Sequence, residues 1–383
     1  MTAGMPPDVL DGVRDWLARE PGEVSVARVA TALRSMGRPV GDATVLAVHD
    51  HVRREVIGAG PLEYLLRTPG VTDVLVNGPD EVYLDRGEGL ELTDVRFDDD
   101  RAVRRLAQRL AASAHRRLDD SVPYVDVRLV DGTRCHVVLS PLARPGTLIS
   151  LRVPSARAFS VADLVEAETV TREGAGLLEA LVEVRAAGVI SGGTGSGKTT
   201  LLAALLALVP AEERIVIVED SSELRPDHPH VVSLEARLPN VEGAGAVDVR
   251  TLVRQALRMR PDRLVVGEAR GPEVVDLLAA LNTGHEGGLC TVHANAARDV
   301  PARLEALAMA AGLDRAATHS QCASGIDVVL HVARIRGRRR LEEIAVLETR
   351  SDGLVGVRSA VRFGPAPIRG PGYDRLMEVA YSR

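Results

Sequence analysis

The segment Ser191–Thr200, SGGTGSGKTT, packs glycines, hydroxyls and one ammonium into ten residues. Lys198 is the only lysine in the chain; every other basic side chain among the 47 Lys and Arg is arginine. Gly192, Gly193, Thr194, Gly195, Ser196, Gly197, Lys198 and Thr199 fit the spacing G-x-x-x-x-G-K-[ST], and Thr200 completes the candidate nucleotide-binding set. An apolar strand, AGVIS, precedes the run, and a helical stretch, TTLLAALLALV, follows it up to Pro210. That context is the one a phosphate-binding loop requires. Glycines let successive backbone N–H groups turn toward phosphate oxygens, and the helix N-terminus adds its dipole. Lys198 would supply a compact charge to the β- and γ-phosphates of ATP, and Thr199 a hydroxyl to Mg²⁺. A planar guanidinium is too bulky for such a closed loop, which explains one lysine in an arginine-rich chain. A dinucleotide reading from Gly193 fails, because it would put Lys198 at the last glycine of G-x-G-x-x-G.

Such a loop needs a metal partner and a group to orient water. In DRLVVGEAR, 262–270, a buried-type strand ends at Gly267-Glu268, the arrangement of a carboxylate beside a phosphate loop. RIVIVEDSSEL, 214–224, is a second apolar strand, ending in Glu219 and Asp220 with Glu223 just beyond. Three acids at one strand end repel each other unless a cation or hydrogen-bond donors sit there. Thr199, Glu219, Asp220 and Glu268 are therefore the candidate metal ligands. NTGHEGGLCTVHAN, 282–295, contributes His285 and His293 among small residues; no third and fourth ligand are spaced to make zinc of them. His228 and His230 read as loop residues.

Elements must position these groups. Residues 8–58 read as helical, and GAGP at 58–61 breaks the run. VTDVLVNG and EVYLD read as strands around an Asn77-Gly78 turn. Residues 99–118 read as a helix, YVDVRLVDGTRCHVVL as a hairpin turning at Asp131-Gly132, and TLISLRV as a further strand. PSARAFS, 154–160, reads as a linker. Beyond it, GVIS, RIVIVED and DRLVVGE are continuous apolar runs between helical stretches, the pattern of a parallel sheet buried on both faces. The tail reads as short strands around an Arg336–Arg340 turn. The expected order is a helical extension, 1–58, a small α/β domain, 59–152, a linker, 153–162, and an α/β ATPase domain, 163–383.

Composition narrows the function. Hydrophobic residues make up 45% and aromatics 2%, so the cores must be aliphatic. A net charge of −6 gives no whole-chain footprint for nucleic acid, and the arginine runs at 116–117 and 336–340 read as solvated faces. Cys135, Cys290 and Cys322 are odd in number and far apart, against a disulfide framework and in favour of a reducing, cytoplasmic setting. No charge-free run of about 18 apolar residues is present, so any membrane role would pass through a partner.

The four blocks, in this order, resemble the type II/type IV secretion ATPase superfamily. VTDVLVNGPDEVYLDRGEGLELTDVRF, PYVDVRLVDGTR and LRMRPDRLVVGEARGPEVVDLLAALNTGHEG look like the tight-adherence (Tad/Flp) pilus assembly branch. The resemblance covers roughly residues 50–350. It implies a RecA-like P-loop domain preceded by a smaller PAS-like α/β domain. It further implies that Glu223 activates the attacking water, Glu268 holds Mg²⁺ through water, and His285 and His293 sense the γ-phosphate. Arg134 and Arg152 would reach the phosphates as the domains close, with Arg128 a weaker candidate. The implied assembly is a cytoplasmic homohexamer driving an inner-membrane platform protein, in pilus assembly or protein export. A conjugation-type nucleic-acid transfer ATPase is the alternative. Cys290 departs from the small polar residue expected there, and the absence of a four-cysteine insertion argues against the main type II branch.

Overall fold

The computed structural model describes residues 58–381 apart from 88, 155–157, 238, 240–242, 285 and 365. Before residue 58 it describes 25–37, 41, 44–46 and the single positions 9, 12, 13, 16, 48 and 49. Most of the helical reading of 8–58 and the middle of the linker reading therefore lie outside the described residues. Within them, α1 (Val26–Ser35) starts at Ser25, whose hydroxyl accepts from the Arg28 N–H, and buries Val29, Ala32 and Leu33 in a small cluster with Val13 and Val48. The chain divides into two compact units, Met1–Ser155 and Ala156–Arg383.

The first unit is built on an antiparallel sheet of β1 (Asp73–Asn77), β2 (Val82–Asp85), β3 (Leu90–Leu92), β4 (Tyr124–Arg128), β5 (Arg134–Val138) and β6 (Leu148–Arg152), in the order β3-β2-β1-β6-β5-β4. The short α2 (Glu63–Leu66) and the longer α3 (Asp100–Ser113) complete it. Alternation fixes the register: Val74, Val76, Ile149 and Leu151 share a core with Val103, Leu106 and Leu110 of α3. Gly78 and Gly132 take positive φ in the two predicted turns. The helix predicted over 99–118 stops at Ser113. His115 adopts φ +56°, turning the chain so that Leu118 is buried in the same core.

The second unit holds a nine-stranded sheet of β7 (Gly188–Gly192), β8 (Ile215–Glu219), β9 (Val231–Glu235), β10 (Arg263–Val266), β11 (Leu289–His293), β12 (Val328–Ile335), β13 (Arg338–Thr349), β14 (Val355–Arg362) and β15 (Ile368–Arg369). The order is β15-β14-β13-β12-β7-β11-β10-β8-β9. From β12 to β9 every pairing is parallel, and β13, β14 and β15 add antiparallel strands at one side. The tail therefore departs from expectation. Its strands are 8, 12 and 8 residues long and extend the main sheet, because β13 buries Leu341 and Ile344, and β14 buries Val361, in the same core as the parallel strands.

Helices cover both faces. α4 (Val161–Glu166), α5 (Arg172–Glu183), α6 (Lys198–Leu206) and α11 (Tyr373–Tyr381) pack with Ile190, Ile215 and Ile217 on one side. α7 (Val249–Ala256), α8 (Glu273–Leu281), α9 (Val300–Ala310) and α10 (Arg315–Gly325) pack with Val189, Val216 and Val218 on the other. Successive strand residues thus feed alternate cores, which is why those strands read as unbroken apolar runs. Among the described residues, no helix is long and apolar enough to cross a membrane.

One polar pair crosses this core. Ser191 and His331 are register partners on β7 and β12, and their Oγ and Nδ1 are joined by a 2.9 Å hydrogen bond. Burial holds the His331 imidazole below its ordinary pKa, against the opposing pull of Glu342 and Glu343. The folded chain thus resists a proton that the unfolded chain takes up near pH 6.5, so this group's contribution is intact above that pH and lost as pH falls below it. His331→Gln should therefore flatten the loss of stability between pH 7.5 and 5.5, read from urea midpoints of the nucleotide-free protein. An unchanged slope would assign that acid sensitivity to other groups.

Candidate active site

All the second-unit candidates that the structure describes lie at the carboxyl ends of adjacent parallel strands, where α/β sheets form their ligand crevices. Gly192 ends β7, His293 ends β11 directly beside it in register, Glu268 follows β10, and Glu219 ends β8. Asp220 and Glu223 lie on the loop after β8. His285 lies outside the described residues.

Gly193, Thr194 and Gly195 form the exposed tip of the loop, while Ser196 and Lys198 are buried. Gly197 caps α6 at φ +100°, a left-handed conformation that places Lys198, Thr199 and Thr200 in the first helical turn. The Lys198 Nζ donates to the carbonyls of Gly192 (3.0 Å) and Gly193 (2.9 Å) and lies 3.4 Å from His293 Nδ1. The Ser196 hydroxyl donates to the same Gly193 carbonyl. Burial lowers the pKa of Lys198, with Glu268 and Glu223 acting against that shift. His293 is lowered as well, first by burial and then by the Lys198 charge, while its Nε2 lies 2.9 Å from Glu268 Oε1. Lysine, histidine and glutamate thus form a continuous chain across β7, β11 and β10.

The acids are held apart by donors. Glu219 is 5% exposed; its Oε1 accepts the N–H groups of Glu223 (3.0 Å) and Leu224 (3.1 Å), which shapes the turn carrying Glu223. Burial pushes its carboxyl up to about 7. Arg270 pairs with Glu268 and lies 3.8 Å from Asp220. Nothing in the sequence reading singled out Arg270; its position two residues after Glu268 on the same loop was the available signal. The arginine run at 336–340 also differs from expectation. Arg339 is exposed, yet its Nε donates to the Gly195 carbonyl at 3.1 Å, because the β12–β13 hairpin reaches the phosphate loop.

A nucleotide and a hard cation suit this donor set. Glu219 Oε2 is buried and without a hydrogen-bond partner, and space beside Gly193 and Gly195 is open. Among the described residues, no group of three His, Cys, Asp or Glu forms a ready metal nest. The three acids among the predicted metal ligands have different partners: Glu219 faces backbone N–H groups, Asp220 faces Arg270, and Glu268 faces His293 and Arg270. A magnesium ion held by one or two carboxylates together with substrate phosphates needs no such nest.

In the first unit, Arg128, Arg134 and Arg152 line up across β4, β5 and β6 as successive register partners. His228 and His230 are loop residues, contacting the Pro210 carbonyl and Arg214. Cys290 is buried on β11, and burial pushes its thiol up to about 12, as it does for Cys135 and Cys322.

A doubly covered parallel sheet with a glycine-rich loop, a buried lysine and acids at neighbouring strand ends defines a P-loop ATPase. The chain belongs to the type II/IV secretion system protein family, which it matches over residues 55–353, and it is a secretion-system ATPase. It is 58% identical over 315 residues to a Mycobacterium tuberculosis protein named for conjugal transfer, covering 80% of this chain and 90% of that one. It is 33% identical over 234 residues to the conjugal transfer protein TrbB of Rhizobium radiobacter, covering 60% and 69%. The X-ray structure of the ATPase DotB of Yersinia pseudotuberculosis shares the fold, with a TM-score of 0.53 at 17% identity over 87% of this chain and 83% of that one.

The loop's packing generates a contrast. A Cβ on Gly192 would run into the Val332 carbonyl and the Ser196 hydroxyl, whereas one on Gly193 would meet nothing within 4 Å. Gly192→Ala should lower the stability of the nucleotide-free protein by roughly 1–3 kcal/mol, and Gly193→Ala should leave it near wild type. Equal melting curves for the two variants would contradict the packing.

Proposed function

We propose that the chain is the Mg²⁺-dependent ATPase of an envelope transfer apparatus. It would work as a cytoplasmic homohexamer on an inner-membrane platform protein. The observation that carries this reading is the Lys198 ammonium, held inside the loop by the Gly192 and Gly193 carbonyls beside His293 and Glu268. Gly192–Thr200 bind the phosphates, and Lys198 leaves its carbonyls for the β- and γ-oxygens. Thr199 and Glu268, with Glu219 and Asp220 nearby, hold Mg²⁺, which when bound neutralises phosphate charge. Glu223 orients and deprotonates the attacking water, and His293, with His285, reads the γ-phosphate. Arg134 and Arg152 reach the phosphates on closure and stabilise charge that develops late.

The conjugal transfer names of the relatives favour a conjugation-type apparatus over the tight-adherence pilus to which the sequence blocks pointed. The net charge of −6, with three Phe, five Tyr and one Trp in 383 residues, argues for work on the protein parts of that apparatus, since strand-binding motors use basic grooves and stacking aromatics. Turnover should be indifferent to DNA at moderate salt; stimulation by DNA would instead select a nucleic-acid motor.

Lys198→Ala should abolish hydrolysis and weaken ATP binding while the circular dichroism stays native; turnover above a few per cent of wild type would remove the assignment. Glu223→Gln should keep ATP binding and lose about 10²–10⁴ in turnover. Glu268→Gln should raise the Mg²⁺ concentration needed for half-maximal rate, and matching Mg²⁺ titrations for the two variants would erase the division of roles. Arg134→Ala and Arg152→Ala should lower kcat far more than they weaken ATP affinity. A loss of affinity alone would place them outside the chemistry.

A further inference from the structure

Gly192 and Gly195 are both touched by one element, the β12–β13 hairpin. Its first strand brings the Val332 carbonyl against Gly192, leaving no room there for a side chain. Its second strand brings Arg339 to the Gly195 carbonyl at 3.1 Å. The Arg339 Cδ also lies 3.3 Å from where a Cβ of Gly197 would stand, so the side chain runs along the loop. The hairpin is itself anchored. Val332 and Leu341 are buried register partners, and the Leu341 N–H donates to the Thr169 carbonyl at 2.8 Å; the Arg338–Glu168 pair at 2.7 Å is solvent-exposed and adds little to that anchoring. The pairing of β12 with β13 slips between His331 and Val332. Such irregularities re-aim the side chains beyond them, and this one stands immediately before the two contacts with the loop.

Peptide geometry gives the Arg339 contact a direction. In a planar trans peptide the carbonyl and the next N–H point opposite ways. Arg339 takes the Gly195 carbonyl on one side of the loop. The Ser196 N–H is thereby turned to the other side, toward the Gly193 carbonyl (3.4 Å), the same group on which the Lys198 ammonium rests. That is the side on which phosphate would sit.

We infer that Arg339 is a positioning residue for the nucleotide: it pins the Gly195–Ser196 peptide from outside so that the Ser196 N–H faces the phosphate position. This rests on the ATPase reading above. Arg339 acts through the loop and touches no reacting atom, so its effect falls on nucleotide affinity. ATP and ADP lose alike, because the pinned peptide is there before hydrolysis and after it. A lysine can reach the same carbonyl with one donor.

The test uses the full chain with Arg339→Ala, Arg339→Lys, Arg338→Ala as a hairpin control and Lys198→Ala as a control for the site. Binding is read with fluorescent ATP and ADP analogues, turnover by steady-state kinetics, and the loop by hydrogen exchange of the peptide spanning residues 191–200. Arg339→Ala should raise Kd for both nucleotides and KM by about three- to tenfold, the effect of one charge-assisted hydrogen bond at an exposed site. Its kcat should stay within twofold, and loop exchange should quicken without a fall in Tm. Arg339→Lys should recover most of the affinity, and Arg338→Ala should bind as wild type. Unchanged affinity and exchange in Arg339→Ala would overturn the inference, as would a fall in kcat at constant KM or an equal loss in Arg338→Ala. If Arg339→Ala does not fold, the lysine variant alone decides, by whether loop exchange stays near wild type. Wild-type turnover by Lys198→Ala would instead overturn the ATPase reading.

Discussion

A cation is buried at the wrong end of a helix. Lys198 opens α6, where the helix dipole is positive and the N-cap is a glycine without a side chain to help. The ammonium is accordingly drawn back onto two loop carbonyls, with Glu268 and Glu223 offsetting its loss of hydration. The strand ends place those groups around the lysine. The carbonyls turn inward, His293 sits between lysine and glutamate, and the loop closes around the charge. An incoming polyphosphate resolves the conflict, since it answers both the ammonium and the helix end with negative charge.

The strand order converts that local need into a wide site. β8, β10, β11 and β7 lie side by side, and each ends in or is followed by a different group of the site. Acids on β8 and after β10, on adjacent strands, would repel one another. Arg270 and the backbone N–H groups of Glu223 and Leu224 separate them. The buried Glu219 is left with one satisfied oxygen and one without a partner, so the crevice is incomplete toward cations as well as toward anions.

The legible parts of the sequence were those governed by local rules. The loop spacing, the apolar strands around it and the acids at their ends could be placed because period, glycine and charge act over a few residues. The hairpin turns at Gly78 and Gly132 were legible for the same reason. What escaped was set by contacts between distant segments. Arg339 is 144 residues from Gly195, and a run of arginines reads as a solvated face unless the partner of the strand beneath is known. The length of β13 is set by β12 and β14, its neighbours on either side. The stop of α3 at Ser113 reflects the burial of Leu118, a demand of the core with no trace in helix propensity. Arg270 lies two residues after Glu268, but its role appears only when the strand ends are brought together.

The three cysteines carry a consequence for chemical handling. Burial pushes all three thiols up to about 12, so they stay protonated at neutral pH. The thiolate is the reactive species, so the wild-type chain is nearly silent toward maleimides and mild oxidants while folded. A single cysteine introduced on the surface would therefore react alone, and distance reporters could be attached to either unit without first removing the native thiols.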